Sequence, residues 1–110
     1  MAELEASLYH REYGLNVAIA RPYNTYGPRD HFDAYKGHVI PSLIKRIFDG
    51  EDPLTVWGDG TQTRAFLYVE DFARGLILLT EKYPKPDPVN IGTDEEIQIK
   101  ELVSQLLKTC

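Results

Sequence analysis

Leu15-Asn-Val-Ala-Ile-Ala-Arg-Pro-Tyr-Asn-Thr-Tyr-Gly-Pro28 is the stretch whose reading decides the architecture. Its first half, Leu15 to Ala20, carries Val17 and Ile19 on one face and the small Ala18 and Ala20 on the other. That pattern predicts a strand buried on both faces, as in the interior of a parallel sheet. The second half, Arg21 to Pro28, is polar and aromatic and ends on a sharp Gly-Pro turn. Open α/β sheets place ligand crevices where apolar strands empty into such loops. The loop offers a guanidinium (Arg21), two phenols (Tyr23, Tyr26) and an amide (Asn24). Taken alone, it serves equally well as a plain strand and turn.

On the amino-terminal side, Leu4, Leu8, Tyr9 and Tyr13 fall near helical spacing, so Ala2 to Tyr13 reads as a helix with Gly14 as its stop. On the carboxyl side, Arg29 to Gly37 is a polar and aromatic loop. Val39 to Phe48 then reads as a helix with Pro41 tolerated in its first turn. Ile40, Ile44, Ile47 and Phe48 form its expected core stripe, and Val39, Leu43 and Arg46 a second, mixed stripe suited to a pocket wall. Leu54 to Trp57 and Ala65 to Tyr68 read as short strands around the turn Gly58-Asp-Gly-Thr61. Val69 to Lys82 reads as a helix, with Phe72, Leu76, Leu79 and Tyr83 inward. Val89 to Ile91 is a further short strand. Ile99 to Lys108 is a last helix, with Ile99, Leu102, Val103, Leu106 and Leu107 inward. Alternating helices and strands joined by short connections imply an α/β fold. Too few strands are in sight to flank Leu15 to Ala20 on both sides, so the expected sheet is incomplete.

Composition removes several classes of function. The 110 residues carry a formal charge of −5, and no basic cluster exceeds Lys45-Arg46, which argues against nucleic acid. The one cysteine, Cys110, leaves no disulfide framework and no cysteine-based metal site, and no metal is expected. No apolar run approaches the ~20 residues of a membrane span, so no membrane partner is expected. The first residues do not have the form of a signal peptide, and a reducing, cytoplasmic setting is the default expectation.

Three stretches in order, Arg21-Pro-Tyr-Asn-Thr-Tyr-Gly-Pro28, Trp57-Gly-Asp-Gly-Thr-Gln-Thr-Arg64 and Phe66-Leu-Tyr-Val-Glu-Asp-Phe-Ala73, resemble one family. It is the extended short-chain dehydrogenase/reductase family of NAD-dependent nucleotide-sugar epimerases and dehydratases, and the match is to its carboxyl-terminal portion. The resemblance covers essentially the whole chain. The run from Asn24 through Gly37-His38-Val-Ile-Pro41 is most similar to the GDP-L-fucose synthase subfamily. The resemblance implies an extended Rossmann-type α/β fold in which residues 1–110 form an incomplete parallel sheet with a small substrate-binding subdomain. The amino-terminal cofactor domain would lie outside them.

The resemblance also implies roles. His38 would be the acid of an epimerisation. Asn24, Val39, Leu43, Arg46, Trp57 and Arg64 would hold the nucleotide diphosphate sugar, and Pro22, Tyr23, Asn24 and Thr25 would pass the nicotinamide of NAD or NADP. The chemistry is consistent. Planar Arg donors match a diphosphate, and a few converging cations attract it even to an acidic chain. Trp57 offers a broad face to a base or ribose, although by itself it reads as a core residue. Returning a proton beside a ketone suits a histidine.

Other family features are absent from these residues. There is no Gly-x-x-Gly-x-x-Gly turn, and none of the seven tyrosines has a lysine four positions on. In the family that Tyr-x-x-x-Lys pair lies just upstream of what is here the first helix, so a truncated or fragmentary chain is the expectation. Such a chain would bind no cofactor alone and would be inactive alone. The competing expectation is a free-standing module that binds nucleotide sugars or a protein without catalysis. Unpaired strand edges and an apolar first helix, which the family uses in a dimer contact, predict a homo-oligomer.

Overall fold

A computed structural model describes residues 1–110, in the order α1 (Ala2–Tyr13), β1 (Ala20–Pro22), β2 (Asn24–Tyr26), α2 (Val39–Phe48), β3 (Thr63–Tyr68), α3 (Val69–Lys82), β4 (Val89–Ile91), β5 (Glu96–Gln98) and α4 (Ile99–Thr109). The four helices stand where their periodicity places them. Gly14 closes α1 in the left-handed conformation (φ 66°), and its N–H donates to the His10 carbonyl. A residue without Cβ takes that geometry at no steric cost.

The strands form two separate sheets. β1 pairs in parallel with β4, Ala20 opposite Val89 and Pro22 opposite Ile91. In the second sheet β3 is central, parallel to β2 (Asn24 opposite Phe66) and antiparallel to β5 (Thr63 opposite Gln98). The expected strand at Leu15 to Ala20 is therefore displaced. Pairing begins at Ala20, because only the three residues of β4 border this segment. Of the apolar run, Ile19 is buried and Leu15 is exposed. The Arg21–Pro28 loop is correspondingly more ordered than expected, since Asn24 to Tyr26 is itself a strand. Leu54 to Trp57 forms no strand. The N–H and carbonyl of Thr55 bond to the Glu51 and Arg46 side chains and not to a neighbouring backbone.

The core is thin. Only 7 of 110 residues are buried, and the central cluster is Leu43, Ile99 and Leu102, where α2 meets α4. Ile40, Phe66 and Ile97 pack around it. This revises the reading of α2, because Leu43 of the second stripe is, with Pro41, one of its two buried residues while Phe48 of the first stripe is 72% exposed. At 100° per residue Phe48 points about 140° away from Leu43, off the side that α4 covers. Leu107 of α4 is likewise exposed. No residue of α1 or α3 is fully buried. α1 is tied to β1 chiefly by Glu3, whose carboxylate accepts Arg21 Nε–H at 2.7 Å and Nη2–H at 2.6 Å. The molecule extends 57 × 25 × 24 Å with a radius of gyration of 17.8 Å, against about 13 Å for a compact chain of this length.

Candidate functional site

Two adjoining cavities lie between α2, the loop before it, and the 55–66 region. The larger, of about 560 Å3, is lined by Val39, Leu43, Arg46, Trp57 and Arg64 together with Tyr35, Glu51, Gln62 and Ile99. The smaller, of about 460 Å3, is lined by Tyr23, Asn24, Thr25, His38 and Phe66, and the two share Gly37 and Val39. Residues more than sixty positions apart in sequence, such as Tyr35 and Ile99, are thus brought together. Pro22 lines neither cavity.

The larger cavity is built from opposed walls. On one side α2 presents Val39, Leu43 and Arg46, three residues of one helical face. The other side depends on the turn Trp57 to Gln62. There Asp59 Oδ1 accepts the Thr61 N–H at 3.0 Å and its hydroxyl at 2.7 Å, bonds that hold the Asp59 carboxyl below its usual range. The turn is clamped onto the start of α4, whose Ile99 and Lys100 N–H groups donate to the carbonyls of Gln62 and Gly60, each at 3.0 Å. These bonds satisfy amides that a helix start leaves open. Gln62 Nε2 donates to the Trp57 carbonyl at 2.8 Å. Trp57 itself is 86% exposed, so it is a rim residue and not the core residue its type suggests in isolation.

The three expected cations differ in availability. Arg46 is 11% exposed and its Nε–H donates to Glu51 Oε2 at 2.6 Å, while Nη2 donates to Glu51 Oε1 and to the Thr55 carbonyl. The Arg46 hydrogen bonds, with help from the Thr55 N–H, lower the Glu51 carboxyl to about 2. Arg21 is taken by Glu3. Arg64 alone of the three has no carboxylate within 4.0 Å, and its Nη1 donates only to the Thr63 carbonyl at 2.8 Å. The expected convergence of several free cations reduces to one. Glu51, Gln62 and Tyr35 escaped the sequence reading. An acid five residues beyond an arginine, across a helix end, was the available signal for Glu51.

In the smaller cavity Asn24 spends one amide donor on the Ala65 carbonyl at 3.2 Å, which stitches β2 to β3 and leaves Oδ1 uncommitted. Thr25 Oγ1 donates to the Tyr23 carbonyl at 3.1 Å. Tyr26 packs edge-on to Phe66, with centroids 6.4 Å apart, and behind it against Tyr68. His38 is the residue preceding α2, and its ring is 78% exposed with Nδ1 3.3 Å from Asp30 Oδ1.

These residues do not supply a complete dinucleotide site. Such a site needs a glycine turn between a strand and a helix, so that amides can approach the diphosphate. Here β3 passes directly into α3 and β5 directly into α4, and the one longer strand-to-helix connection, residues 27–38 between β2 and α2, has its two glycines ten positions apart and no clustered glycine turn. Tyr23, Asn24 and Thr25 offer one edge only.

Residues 1–92 match the sequence model of the NAD dependent epimerase/dehydratase family. The chain is 43% identical over 98 residues to a GDP-L-fucose synthase of Sinorhizobium fredii, covering 86% of this chain and 31% of that protein. It is 40% identical over 107 residues to a dTDP-4-dehydro-6-deoxy-D-allose reductase of Streptomyces, covering 96% and 32%. Among solved structures, a UDP-glucose 4-epimerase of Thermotoga maritima with UDP-glucose superposes with a TM-score of 0.84 at 33% identity, covering 96% of this chain and 33% of that one. The chain spans about a third of the length of the curated relatives it matches. No helix is long and apolar enough to cross a membrane. The motif order, the paired cavities and a family match over most of the chain agree, and the chain belongs to the NAD-dependent epimerase/dehydratase family.

Proposed function

We propose that residues 1–110 form the nucleotide-sugar-binding portion of an NAD(P)-dependent sugar epimerase/reductase of the GDP-L-fucose synthase kind. The observation that carries this is the joining of the two cavities at Gly37 and Val39. A cavity of about 560 Å3 lies within the range of small-ligand sites, roughly 300–1,000 Å3. Trp57 would stack on the base or ribose, Arg64 would meet the diphosphate, and Val39 and Leu43 would form the apolar floor. The sugar would then reach the smaller cavity, where Asn24 and His38 stand. His38 would return a proton to the carbon beside the sugar ketone, with the enolate electrons closing the new C–H bond as the C=O re-forms.

No step through the nicotinamide is assigned, because these residues lack its diphosphate cradle and the Tyr-x-x-x-Lys pair. On this reading the isolated chain binds nucleotide sugars without turning them over, holds no dinucleotide, and self-associates through its uncovered apolar faces. UDP- or dTDP-sugar enzymes of the same family are the nearest alternative, favoured by the similarity to the allose reductase and the UDP-glucose epimerase.

Calorimetry with GDP, UDP and dTDP sugars tests the proposal. Heat on titrating GDP sugars is expected. No heat with any of the three would remove the binding reading, and heat with UDP sugars alone would remove the GDP assignment.

A further inference from the structure

We infer that Asp30 is a positioning residue for His38, fixing which ring nitrogen faces the smaller cavity. The inference rests on the reading of His38 as a proton donor, but its geometry stands independently. Asp30 lies in the loop between β2 and α2, and its side chain is 18% exposed against 78% for His38. Its Oδ1 accepts the His31 N–H at 2.7 Å, which anchors the carboxylate to its own backbone, and the same oxygen lies 3.3 Å from His38 Nδ1. A carboxylate oxygen only accepts, so a lone pair on Nδ1 would face another lone pair at this distance and a hydrogen there is favoured.

The loop is folded to make this meeting. Asp33 Oδ1 accepts the Tyr35 and Lys36 N–H groups at 2.9 and 2.7 Å, and the Gly37 N–H donates to the Asp33 carbonyl at 3.2 Å. At Gly37 a Cβ would stand 2.6 Å from the Asp33 carbonyl oxygen and 2.8 Å from that of His31. The chain closes there because glycine has no side chain. The closure returns the backbone to Asp30 and delivers His38 as the residue preceding α2.

With a hydrogen on Nδ1 favoured by the neighbouring Asp30 carboxylate, Nε2 is the nitrogen left for the cavity that Asn24 and Thr25 also line. In the charged ring Nε2 carries the transferable proton, and after transfer it carries the lone pair while Nδ1–H stays beside the Asp30 carboxylate. A free imidazole would divide its population between both tautomers, so half-aimed rings are removed before any substrate arrives.

Long-range proton–nitrogen NMR on the nitrogen-15-labelled 110-residue chain, at a pH where the rings are neutral, reads the tautomer directly. His10 is an internal reference, since its Nδ1 lies 2.7 Å from the Leu15 carbonyl and must also carry hydrogen. His38→Gln assigns the signals. The expected result is pyrrole-type Nδ1 and pyridine-type Nε2 at His38. Asp30→Ala should shift Nε2 toward the pyrrole-type region, and Asp30→Asn, whose amide oxygen still accepts, should retain most of the wild-type pattern. A pyridine-type Nδ1 at His38 in the unsubstituted chain overturns the inference without any variant having to fold. An unchanged tautomer in a folded Asp30→Ala chain overturns it as well. Calorimetry of the same samples separates the two readings, since a fixed tautomer with no sugar binding would spare this inference and remove only the proposed function.

Discussion

Arg46 and Glu51 grip each other across the end of α2, Nε to Oε2 at 2.6 Å with a second prong between Nη2 and Oε1. The pairing closes the loop from Asp49 to Thr55 and forms one wall of the larger cavity. It also makes that wall sensitive to acid. Folding lowers the Glu51 carboxyl from 4.5 to about 2, so its stabilising contribution is complete above 4.5. It is lost as pH falls from 4.5 through about 2. Trp57, the only tryptophan, lines the same cavity. Its fluorescence should change across that window, and Glu51→Gln should flatten the change. Identical acid profiles for the two chains would refute the assignment.

Arg64 is the uncommitted cation of the larger cavity. A charge-assisted hydrogen bond contributes about 1.5–3 kcal/mol, so Arg64→Gln should weaken nucleotide-sugar binding about 10- to 100-fold. The fold should be unaffected, because the side chain bonds only to the neighbouring Thr63 carbonyl. Calorimetry at two salt concentrations checks this, and the loss should be smaller at the higher one.

Leu43 joins α2 to α4 in a core of very few members. Leu43→Ala should cost about 2–5 kcal/mol, and against so small a core this should shift the chain largely to its unfolded state. The denaturant midpoint measured by circular dichroism reports it. Phe48→Ala, on the exposed side of the same helix, should leave the midpoint within about 0.5 kcal/mol of wild type.

Gly37→Ala should open the loop between β2 and α2, since the new Cβ would stand 2.6 and 2.8 Å from two backbone carbonyl oxygens, too close for either to stay in place. Amide shifts from Asp30 to His38 should move while those of α3 and α4 hold. A spectrum unchanged in the loop would show that the closure tolerates a side chain.

Self-association follows from the uncovered apolar surface. Leu4, Tyr9 and Tyr13 of α1 and Ile77 and Leu78 of α3 are exposed, and β1 and β4 each keep an open edge. Sedimentation at micromolar concentration should give a mass above 12.6 kDa, and a monomer would contradict the expectation.

Much of this architecture is local and therefore readable from the chain. α1 through α4 follow from periodicity and from stop residues such as Gly14, which act within a few positions. β2 and β5 were missed because each has three residues with little apolar alternation, and both exist only by pairing with β3, far away in sequence. Leu15 to Ile19 misled for the opposite reason, being apolar enough for a strand yet bordered only at its end. Within the candidate site, Val39, Leu43 and Arg46 were legible as a mixed helical stripe and through motif resemblance, whereas Trp57 and Arg64 came through the resemblance alone. What a motif does not carry is side-chain partnership. That Arg46 is already occupied and that Asp30 stands beside His38 depends on loop geometry with no periodicity, and that Arg21 is occupied depends on how α1 lies against β1.

Leu43 and Ile99 belong at once to the central cluster and to the lining of the larger cavity. A molecule seated there would complete the hydrophobic packing of α2 and α4, and folding and occupancy would become one linked equilibrium. A ligand at a hundred times its dissociation constant adds about 2.7 kcal/mol to the folded state, comparable to a core leucine. For so sparsely buried a chain, any molecule held there would act as a structural component as well as a guest, and melting temperature would double as a titration of the site.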